Sequence, residues 1–248
     1  MNHEDSPLKD IFIGKMTKAW ADNNQIPVVY HPQINSTNLL SKSSDLEDKD
    51  FCLYLTDFQT EGKGRGTNQW MSPKGGALLS TWTFFLPNTP NSSFTSRVGL
   101  ALWRALSSTW SFIPFSLKAP NDIYVHDKKL AGILVETVTQ GTEIVAHIGI
   151  GLNVLSKPEN VSTATALIQC FPKDLALHGQ DWIRFVDRFL FEITDAISSC
   201  DEELSSTDCE NLKLALNHFE GLQETYQKVF PNAELLTLSG KKIPWTQI

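Results

Sequence analysis

The sequence predicts an α+β fold in which antiparallel hairpins are combined with separate helices. Strand-like segments occur in neighbouring pairs joined by short turns, which is the pattern of hairpins. Helical periodicity occurs in blocks that do not alternate regularly with the strands, which argues against a doubly wound parallel sheet. At 248 residues and 41% hydrophobic, the chain is large enough to bury one sizeable core, alone or with a small appendage.

The first third of the chain contains two predicted helices and three predicted strands. Ser6 and Pro7 suit the N-cap and first turn of a helix over about residues 8–23. A second helix opens at Ser36-Thr37-Asn38 and leads into a Ser- and Asp-rich loop at 41–50. The hydroxyls at its start either cap the helix or face a ligand. The strands are predicted at 28–31, 51–56 and 77–86.

The rest of the chain contains three predicted helices and three predicted hairpins. Apolar residues spaced i, i+3, i+4 predict helices at 94–112, 182–197 and, more weakly, 212–222. Hairpins are predicted at 115–118 with 122–126, at 129–139 with 143–154, and at 234–238 with 242–245. The last of these is too small to be stable without a surface to pack on.

A polar, glycine-rich segment, 56–76, lies between two apolar strands and contains the run GKGRG. Glycine permits close approach of the backbone to a ligand, and successive N–H groups can surround an anion, with charge from Lys63 and Arg65. The face of Trp70 is suited to stacking on a base. The spacing matches neither the P-loop nor the G-x-G-x-x-G pattern. By itself the segment indicates either an anion or nucleotide site or only a mobile turn.

Composition excludes several classes of protein. No apolar run reaches the roughly 18–20 residues that span a bilayer, and the first residues do not have the pattern of a signal peptide. The four cysteines are scattered without a C-x-x-C pair, which favours reduced thiols. A net charge of −7 disfavours general nucleic-acid binding. We therefore expect a cytoplasmic protein with neither DNA nor a membrane as partner.

Four separated segments resemble those of one family. They are Ser36-Thr37-Asn38, then residues 59–66 (QTEGKGRG) ending in 70–73 (WMSP), then 118–123 (KAPNDI) with 128–134 (KKLAGIL), and finally 148–154 (IGIGLNV). Their residues, order and separations, over about residues 28–225, resemble the biotin–protein ligases, also called biotin–[acetyl-CoA-carboxylase] ligases.

The resemblance implies a class II synthetase-like ligase domain with a mixed, mainly antiparallel central sheet and flanking helices. It also implies an activity. The carboxylate of biotin attacks the α-phosphate of ATP in the presence of Mg²⁺, and the resulting biotinyl-5′-AMP is transferred to a lysine of a biotin carboxyl carrier protein or carrier domain. No covalent nucleophile on the enzyme is required, because positioning supplies much of the rate.

The resemblance also implies roles for individual residues. Arg65 and Lys129 are the expected catalytic residues. Biotin binding is expected from Ser36, Thr37, Asn38, Gln59, Gly62, Lys63, Gly64, Arg65, Lys129 and Gly132. ATP binding is expected from Trp70, Lys118, Asn121, Asp122, Lys129 and Asn153. The metal ligands stay open, with Mg²⁺ on the ATP phosphates near Asp122. From the residues alone, Lys129 is equally a solvated lysine, Trp70 a core aromatic and Asp122 a turn carboxylate.

Two features depart from the family pattern. Ala119 stands where the family usually has tryptophan, and the 23 residues from Tyr226 are too few for the small β-barrel that usually ends the family's chains. The residues before the match are also too few for a winged-helix domain. We expect a monofunctional ligase with a catalytic domain at 1–225 and a shortened C-terminal segment, a hairpin, at 226–248.

Two other functions stay open from the sequence. One is a lipoate-type ligase, which shares the fold and the acyl-adenylate chemistry. The other is a catalytically weak homologue that captures biotin and signals through a partner. The sequence also leaves open whether the chain forms a homodimer.

Overall fold

The computed structural model describes residues 12–44 and 50–247. Within these ranges the helices are α1 (Ile13–Asn23), α2 (Thr37–Ser43), α3 (Phe94–Thr109), α4 (Gly179–Ser198) and α5 (Ser206–Asn217). The strands are β1 (Val28–His31), β2 (Phe51–Thr56), β3 (Ala77–Phe85), β4 (Phe115–Lys118), β5 (Asp122–Val125), β6 (Lys128–Gln140), β7 (Glu143–Asn153), β8 (Tyr226–Val229), β9 (Leu235–Thr237) and β10 (Lys242–Ile243). Short 3₁₀ turns lie at Leu167–Cys170 and Trp245–Gln247.

Strands β1 to β7 form a mixed, mainly antiparallel sheet, and β8 to β10 form a second, smaller antiparallel sheet. The predicted α+β class and sheet type are therefore confirmed. The chain divides into two compact units, one of Met1–Phe85 with Leu130–Arg184 and one of Leu86–Lys129 with Phe185–Ile248. The domain boundary expected after residue 225 stays a prediction.

The first unit is built on strands β1-β2-β3-β7-β6 in that spatial order. β1 runs parallel to β2, and the remaining neighbours are antiparallel. Every residue of β3 except Phe85 is buried, which explains why its sequence is apolar without alternation. Trp82 of β3 lies between Trp20 of α1 and Phe51 of β2, with ring centroids 6.4 and 5.9 Å away, respectively.

The second unit combines the β4–β5 hairpin with α3, α5, most of α4 and the small sheet. Ion pairs fasten α3 to α5, because Arg104 and Arg97 lie 2.6 and 3.4 Å from the carboxylate of Asp208. Asp208 is buried, and hydrogen bonds from Ser205 and Arg104 outweigh its desolvation and lower its pKa. The buried charge is therefore compensated, as buried charges must be.

Two C-terminal elements differ from the prediction. α5 covers Ser206–Asn217 rather than 212–222, because Ser205 and Asp208 form a capping box that starts the helix earlier. The expected hairpin is present as β9 and β10, but β8 adds a third strand that the sequence did not predict. β8 was missed because its four residues are too few to show clear alternation.

Most other bounds agree with the prediction within three residues. α1 is described from Ile13 onward, and the predicted cap at Ser6 and Pro7 lies outside the described residues, as do positions 45–49 of the predicted loop. Across the described ranges, no helix combines the length and apolar character needed to cross a membrane.

Candidate functional site

The first turn of α2 is bonded to a side chain three residues after the end of β2. Thr37 donates both its backbone N–H and its hydroxyl to Oε1 of Gln59, at 2.7 and 3.2 Å. Ser36 occupies the N-cap position, yet its side chain makes no capping hydrogen bond. Of the two interpretations that the sequence left open for these hydroxyls, capping therefore does not apply to Ser36. Because Gln59 accepts with its oxygen, its NH₂ group is left to donate elsewhere.

Two short backbone segments run side by side and bring α2 to the glycine-rich segment. Ile34 donates its N–H to the Phe58 carbonyl at 3.1 Å, and Thr60 donates to the Ile34 carbonyl at 3.0 Å. This parallel bridge pairs Ile34, two residues before Ser36, with Gln59 itself. The residues predicted at 36–37 and at 59 therefore lie next to each other.

The glycine-rich segment is a narrow hairpin. Trp70 donates its N–H to the Gly62 carbonyl and Gly64 donates to the Asn68 carbonyl, both at 2.9 Å. A Cβ at position 62 would lie 2.3 Å from the Trp70 carbonyl oxygen, so the two backbones meet too closely for any side chain there. The side chains of Lys63 and Arg65 are exposed. The N–H of Gly64 is bonded within the hairpin.

The hairpin is also closed at its base. Gly75 donates its N–H to the Asp57 carbonyl at 2.8 Å, which joins the two ends of the segment. The Asp57 carboxylate is buried and accepts hydrogen bonds from the Tyr30 hydroxyl and from the N–H of Lys15 in α1. Burial and the bond to Asp57 raise the pKa of Tyr30 to about 12. Sequence analysis missed Asp57, because its partners lie in other elements.

Trp70 lies against the sheet at a glycine of β7. Gly132 of β6 and Gly151 of β7 are directly opposite each other. A Cβ on Gly151 would lie 2.4 Å from Cε2 of Trp70, so the indole rests on the β7 backbone. Asn153 is two residues further along β7 and therefore on the same face of the sheet.

The side-chain amide of Asn153 makes a hydrogen bond through its nitrogen but not through its oxygen, among the residues that the structure describes. Its Nδ2 donates to the Thr165 carbonyl at 3.0 Å. Its Oδ1 is buried and has no hydrogen-bond partner among the residues that the structure describes. A buried acceptor without a partner is costly, so a ligand that donates a hydrogen bond would be favoured there.

Asn38, expected to bind biotin, has its amide engaged inside the protein. Its Oδ1 accepts from the Thr81 hydroxyl at 2.6 Å, and its Nδ2 donates to Glu136 at 3.0 Å. A Cβ at Gly149 would lie 2.3 Å from the same Oδ1, so this glycine makes room for the amide. The role of Asn38 in biotin binding stays a prediction.

A partly buried polar cluster extends from Asn38, and it was not predicted from the sequence. Glu136 pairs with Lys42 at 2.6 Å, and hydrogen bonds from Lys42 and Asn38 outweigh burial and lower the pKa of Glu136. His147 is buried, with Nδ1 3.0 Å from the Ser41 hydroxyl. Burial and the charge of Lys42 lower the pKa of His147 to about 4, although Glu136 opposes this.

The remaining predicted residues lie together in the second unit. Lys118 and Asp122 face each other across the β4–β5 hairpin, whose turn is Ala119-Pro120-Asn121. Lys129 lies 2.7 Å from Asp122, and the roles of both residues stay predictions. Lys118 is exposed and its ammonium lies 5.3 and 5.5 Å from the ring centroids of Tyr124 and Phe219.

The predicted residues thus fall into two groups, one in each unit. In the described part of the chain, no cluster of three or more His, Cys, Asp or Glu suited to a metal occurs. Mg²⁺ is commonly held by one or two carboxylates together with substrate phosphates. A single carboxylate such as Asp122 therefore fits a magnesium ion that enters with ATP.

Residues 30–154 match the family described as the biotin/lipoate A/B protein ligase family. The chain belongs to this family. The family resemblance of the four sequence segments is therefore confirmed.

Three relatives indicate the range of similarity. The chain is 34% identical to the bifunctional ligase/repressor BirA of Escherichia coli over 128 residues, which are 50% of this chain and 39% of that protein. It is 28% identical to the biotin–[acetyl-CoA-carboxylase] ligase of Mycobacterium tuberculosis over 196 residues, 77% of this chain and 69% of that protein. It is 39% identical to human biotin–protein ligase over 106 residues, 39% of this chain and 14% of that protein. The matched part thus spans about two fifths of the E. coli relative.

Solved structures share the fold. The biotin protein ligase of Aquifex aeolicus in complex with biotin and ATP matches with a TM-score of 0.67 at 23% identity, over 89% of this chain and 97% of that chain. The ligase of Leishmania major in complex with biotinyl-5-AMP matches with a TM-score of 0.59 at 18% identity, over 87% and 97% of the two chains. At these identities the matches establish the fold alone.

Burial of neutral His147 predicts a pH-dependent stability. The unfolded chain takes up the proton near pH 6.5, whereas the folded chain resists it until about pH 4, so falling pH favours unfolding across that interval. His147→Gln should remove this penalty. As the pH falls from 7 to 4, the free energy of unfolding of His147→Gln should therefore rise relative to that of the wild type by up to about 3 kcal/mol. This figure follows from the pKa shift of His147 at about 1.4 kcal/mol per pKa unit.

Chemical denaturation at pH 7, 6, 5 and 4 measures this difference. His31→Gln is the matched control, because His31 lies exposed at the end of β1 in the same unit. The control should follow the wild-type pH dependence. Parallel pH profiles for His147→Gln and the wild type would contradict the prediction.

Proposed function

We propose that the chain is an ATP-dependent biotin–protein ligase. It would convert biotin and ATP into biotinyl-5′-AMP and pyrophosphate, then transfer the biotinyl group to a lysine of a carboxylase carrier domain. The observation that carries the proposal is the junction of Ser36, Thr37 and Gln59 with the glycine hairpin. Membership of the family and the names of the relatives support the same activity.

The residues at this junction suit biotin chemically. Biotin carries a polar ureido ring, an apolar thioether ring and a carboxylate on an apolar chain. The Ser36 hydroxyl is not used for capping, and the NH₂ group of Gln59 is left to donate. We assign these two groups, with Thr37, Asn38 and the backbone of 62–65, to biotin. Gly132, which lacks a side chain, lines the pocket.

The nucleotide is assigned to residues that present a ring face, amides and charge. Trp70 offers its indole face, and Asn153 offers the buried Oδ1 described above. Asn121, Asp122 and Lys118 belong to the β4–β5 hairpin. To bind a phosphate, the Lys118 ammonium would have to leave the rings of Tyr124 and Phe219. The loss of these cation–π contacts would reduce the free energy gained on binding.

Charge controls the first chemical step. A carboxylate oxygen of biotin attacks the α-phosphorus, and the bond to pyrophosphate breaks. Both reactants are anionic, so cations positioned at their meeting point lower the barrier. We assign this role to Arg65 and Lys129, with Asp122 holding the ammonium of Lys129 at 2.7 Å. When bound with ATP, Mg²⁺ neutralises phosphate charge.

The second step transfers the biotinyl group to the carrier without forming a covalent bond to the enzyme. The neutral amine of the carrier lysine attacks the carbonyl carbon of the mixed anhydride. AMP leaves with the bonding electron pair, and the amine gives up a proton to solvent. Holding the adenylate away from water protects it from hydrolysis until the carrier arrives.

The overall proposal is tested with purified protein, biotin, MgATP and labelled pyrophosphate. We expect biotin-dependent exchange of the label into ATP, followed by a biotinylated lysine when an apo carrier domain is added. Exchange with lipoate in place of biotin would identify the lipoate-type activity instead. Saturable biotin binding without any exchange would identify a non-catalytic binding protein. Either result would overturn the proposal.

Lys129→Ala should slow adenylation without unfolding the protein. Loss of one positioned charge donor raises the barrier by about 2–4 kcal/mol, which is roughly 30- to 800-fold in rate. The measurement is the rate of biotin-dependent pyrophosphate exchange. We expect a similar loss for Arg65→Ala, whose side chain is exposed in the ligand-free protein.

Lys128→Ala is the matched control for Lys129→Ala. Lys128 is the preceding residue of β6 and is exposed, so it has the same charge but no assigned role. Its exchange rate should stay within about twofold of the wild type. Equal losses in the two variants, or a loss explained by a lower melting temperature of Lys129→Ala, would remove Lys129 from the chemical step.

A further inference from the structure

The C-terminal segment of the second unit is bonded to the turn of the β4–β5 hairpin. Trp245, in the 3₁₀ turn that follows β10, is buried with 3% of its surface exposed. Its Nε1 donates a hydrogen bond to the Pro120 carbonyl at 2.9 Å. The two residues are 125 positions apart in the chain.

The carbonyl that Trp245 holds lies just before residues assigned to the nucleotide. Pro120 is followed directly by Asn121 and then by Asp122, where β5 begins. Asp122 in turn holds Lys129 at 2.7 Å. Fixing the peptide at Pro120 therefore constrains the chain direction into the Asp122–Lys129 pair.

The segment that carries Trp245 is itself anchored to α5. Asn217, the last residue of α5, exchanges two hydrogen bonds with the backbone of Tyr226, at 2.8 and 2.9 Å. The Glu224 carboxylate accepts from the backbone N–H of Ser239 and from its hydroxyl. The segment that carries the Trp245 indole is therefore held by hydrogen bonds at Tyr226 and Ser239, and this segment is the support for the indole.

A partly open pocket lies between this support and β4. A cavity of about 420 Å³ is lined by Leu117 and Ala119 on one side and by Tyr226 and Ile243 of the small sheet on the other. Ala119 is small, in the position where the family resemblance leads one to expect tryptophan. With this space open, a specific hydrogen bond becomes a more important restraint on the turn.

We propose that Trp245 is a positioning residue, whose indole N–H fixes the Ala119–Pro120–Asn121 turn and thereby the Asp122–Lys129 pair for reaction with ATP. The catalytic part of this inference rests on the proposed ligase function. The positioning part does not, because it concerns the conformation of the turn in the free protein. Trp245 would act through Pro120 and would not itself touch the reacting atoms.

Trp245→Phe tests the inference, because it keeps an aromatic ring and removes the donor. Trp103→Phe is a matched control. Trp103 is also buried and donates Nε1 to a carbonyl of β4 at 2.9 Å, but to Phe115 at the far end of the strand. Both variants lose one buried indole hydrogen bond, and only Trp245→Phe loses it at the turn.

Two readouts are needed. Hydrogen exchange of the backbone amides of residues 119 and 121–123 should be faster in Trp245→Phe and unchanged in Trp103→Phe. In pyrophosphate exchange, Trp245→Phe should have kcat/KM for ATP lower by about three- to tenfold, the range for one lost hydrogen bond. Its biotin affinity should stay within twofold of the wild type. Trp103→Phe should keep the ATP parameters within twofold, whatever stability it loses.

The possible failures are distinct. Unchanged amide exchange at residues 119 and 121–123 in Trp245→Phe overturns the positioning role, whether or not the protein is a ligase. Faster amide exchange with unaltered ATP kinetics overturns the catalytic part. Equal loss of ATP kinetics in both variants means that the effect is only structural. A wild type without biotin-dependent exchange overturns the proposed function, while amide exchange still decides whether Trp245 fixes the turn.

Discussion

The hydrogen bonds from Thr37 to the Gln59 side chain are the constraint on which the candidate site depends. They cap α2 from outside the helix, which frees the Ser36 hydroxyl and fixes the direction of the Gln59 amide. Two residues before Gln59, the Asp57 carbonyl accepts the bond that closes the base of the glycine hairpin. The cap and the hairpin therefore share one short stretch of chain, residues 57–59.

Burial of Asp57 stabilises this arrangement. The Asp57 carboxylate lies in the interior, where an unpaired charge would be costly, and its bonds to Tyr30 and to the first turn of α1 compensate for that cost. The same principle explains the polar residues of β3. Thr81 donates to Asn38, and Ser80 accepts from the indole of Trp82 at 3.0 Å. Hydroxyls that interrupt the apolar sequence of β3 thus serve as partners for buried polar groups.

Sequence patterns predicted what depends on near neighbours in the chain, and the residue motifs predicted the family. β1, β2 and β4 have the predicted bounds because each is a short apolar run that ends in polar residues. The missed features join distant positions: Gln59 caps α2 across 22 residues, Tyr30 reaches Asp57 across 27, and Ser41 meets His147 across 106. No local periodicity encodes such pairs. α5 could have been placed better, since Ser205 and Asp208 give a capping signal in the sequence itself.

Titration calorimetry with biotin tests most directly whether the constrained hairpin is a biotin site. The decisive comparison is Gly62→Ala against the wild type, because a Cβ there would lie 2.3 Å from the Trp70 carbonyl oxygen and force the hairpin apart. Gly99→Ala is the control, because its Cβ would meet only Leu117, at an ordinary 3.5 Å. We expect one biotin per chain for the wild type and Gly99→Ala, and binding at least about tenfold weaker, or about 1.4 kcal/mol, for Gly62→Ala. Undiminished affinity in Gly62→Ala, or no binding by the wild type, would contradict the account.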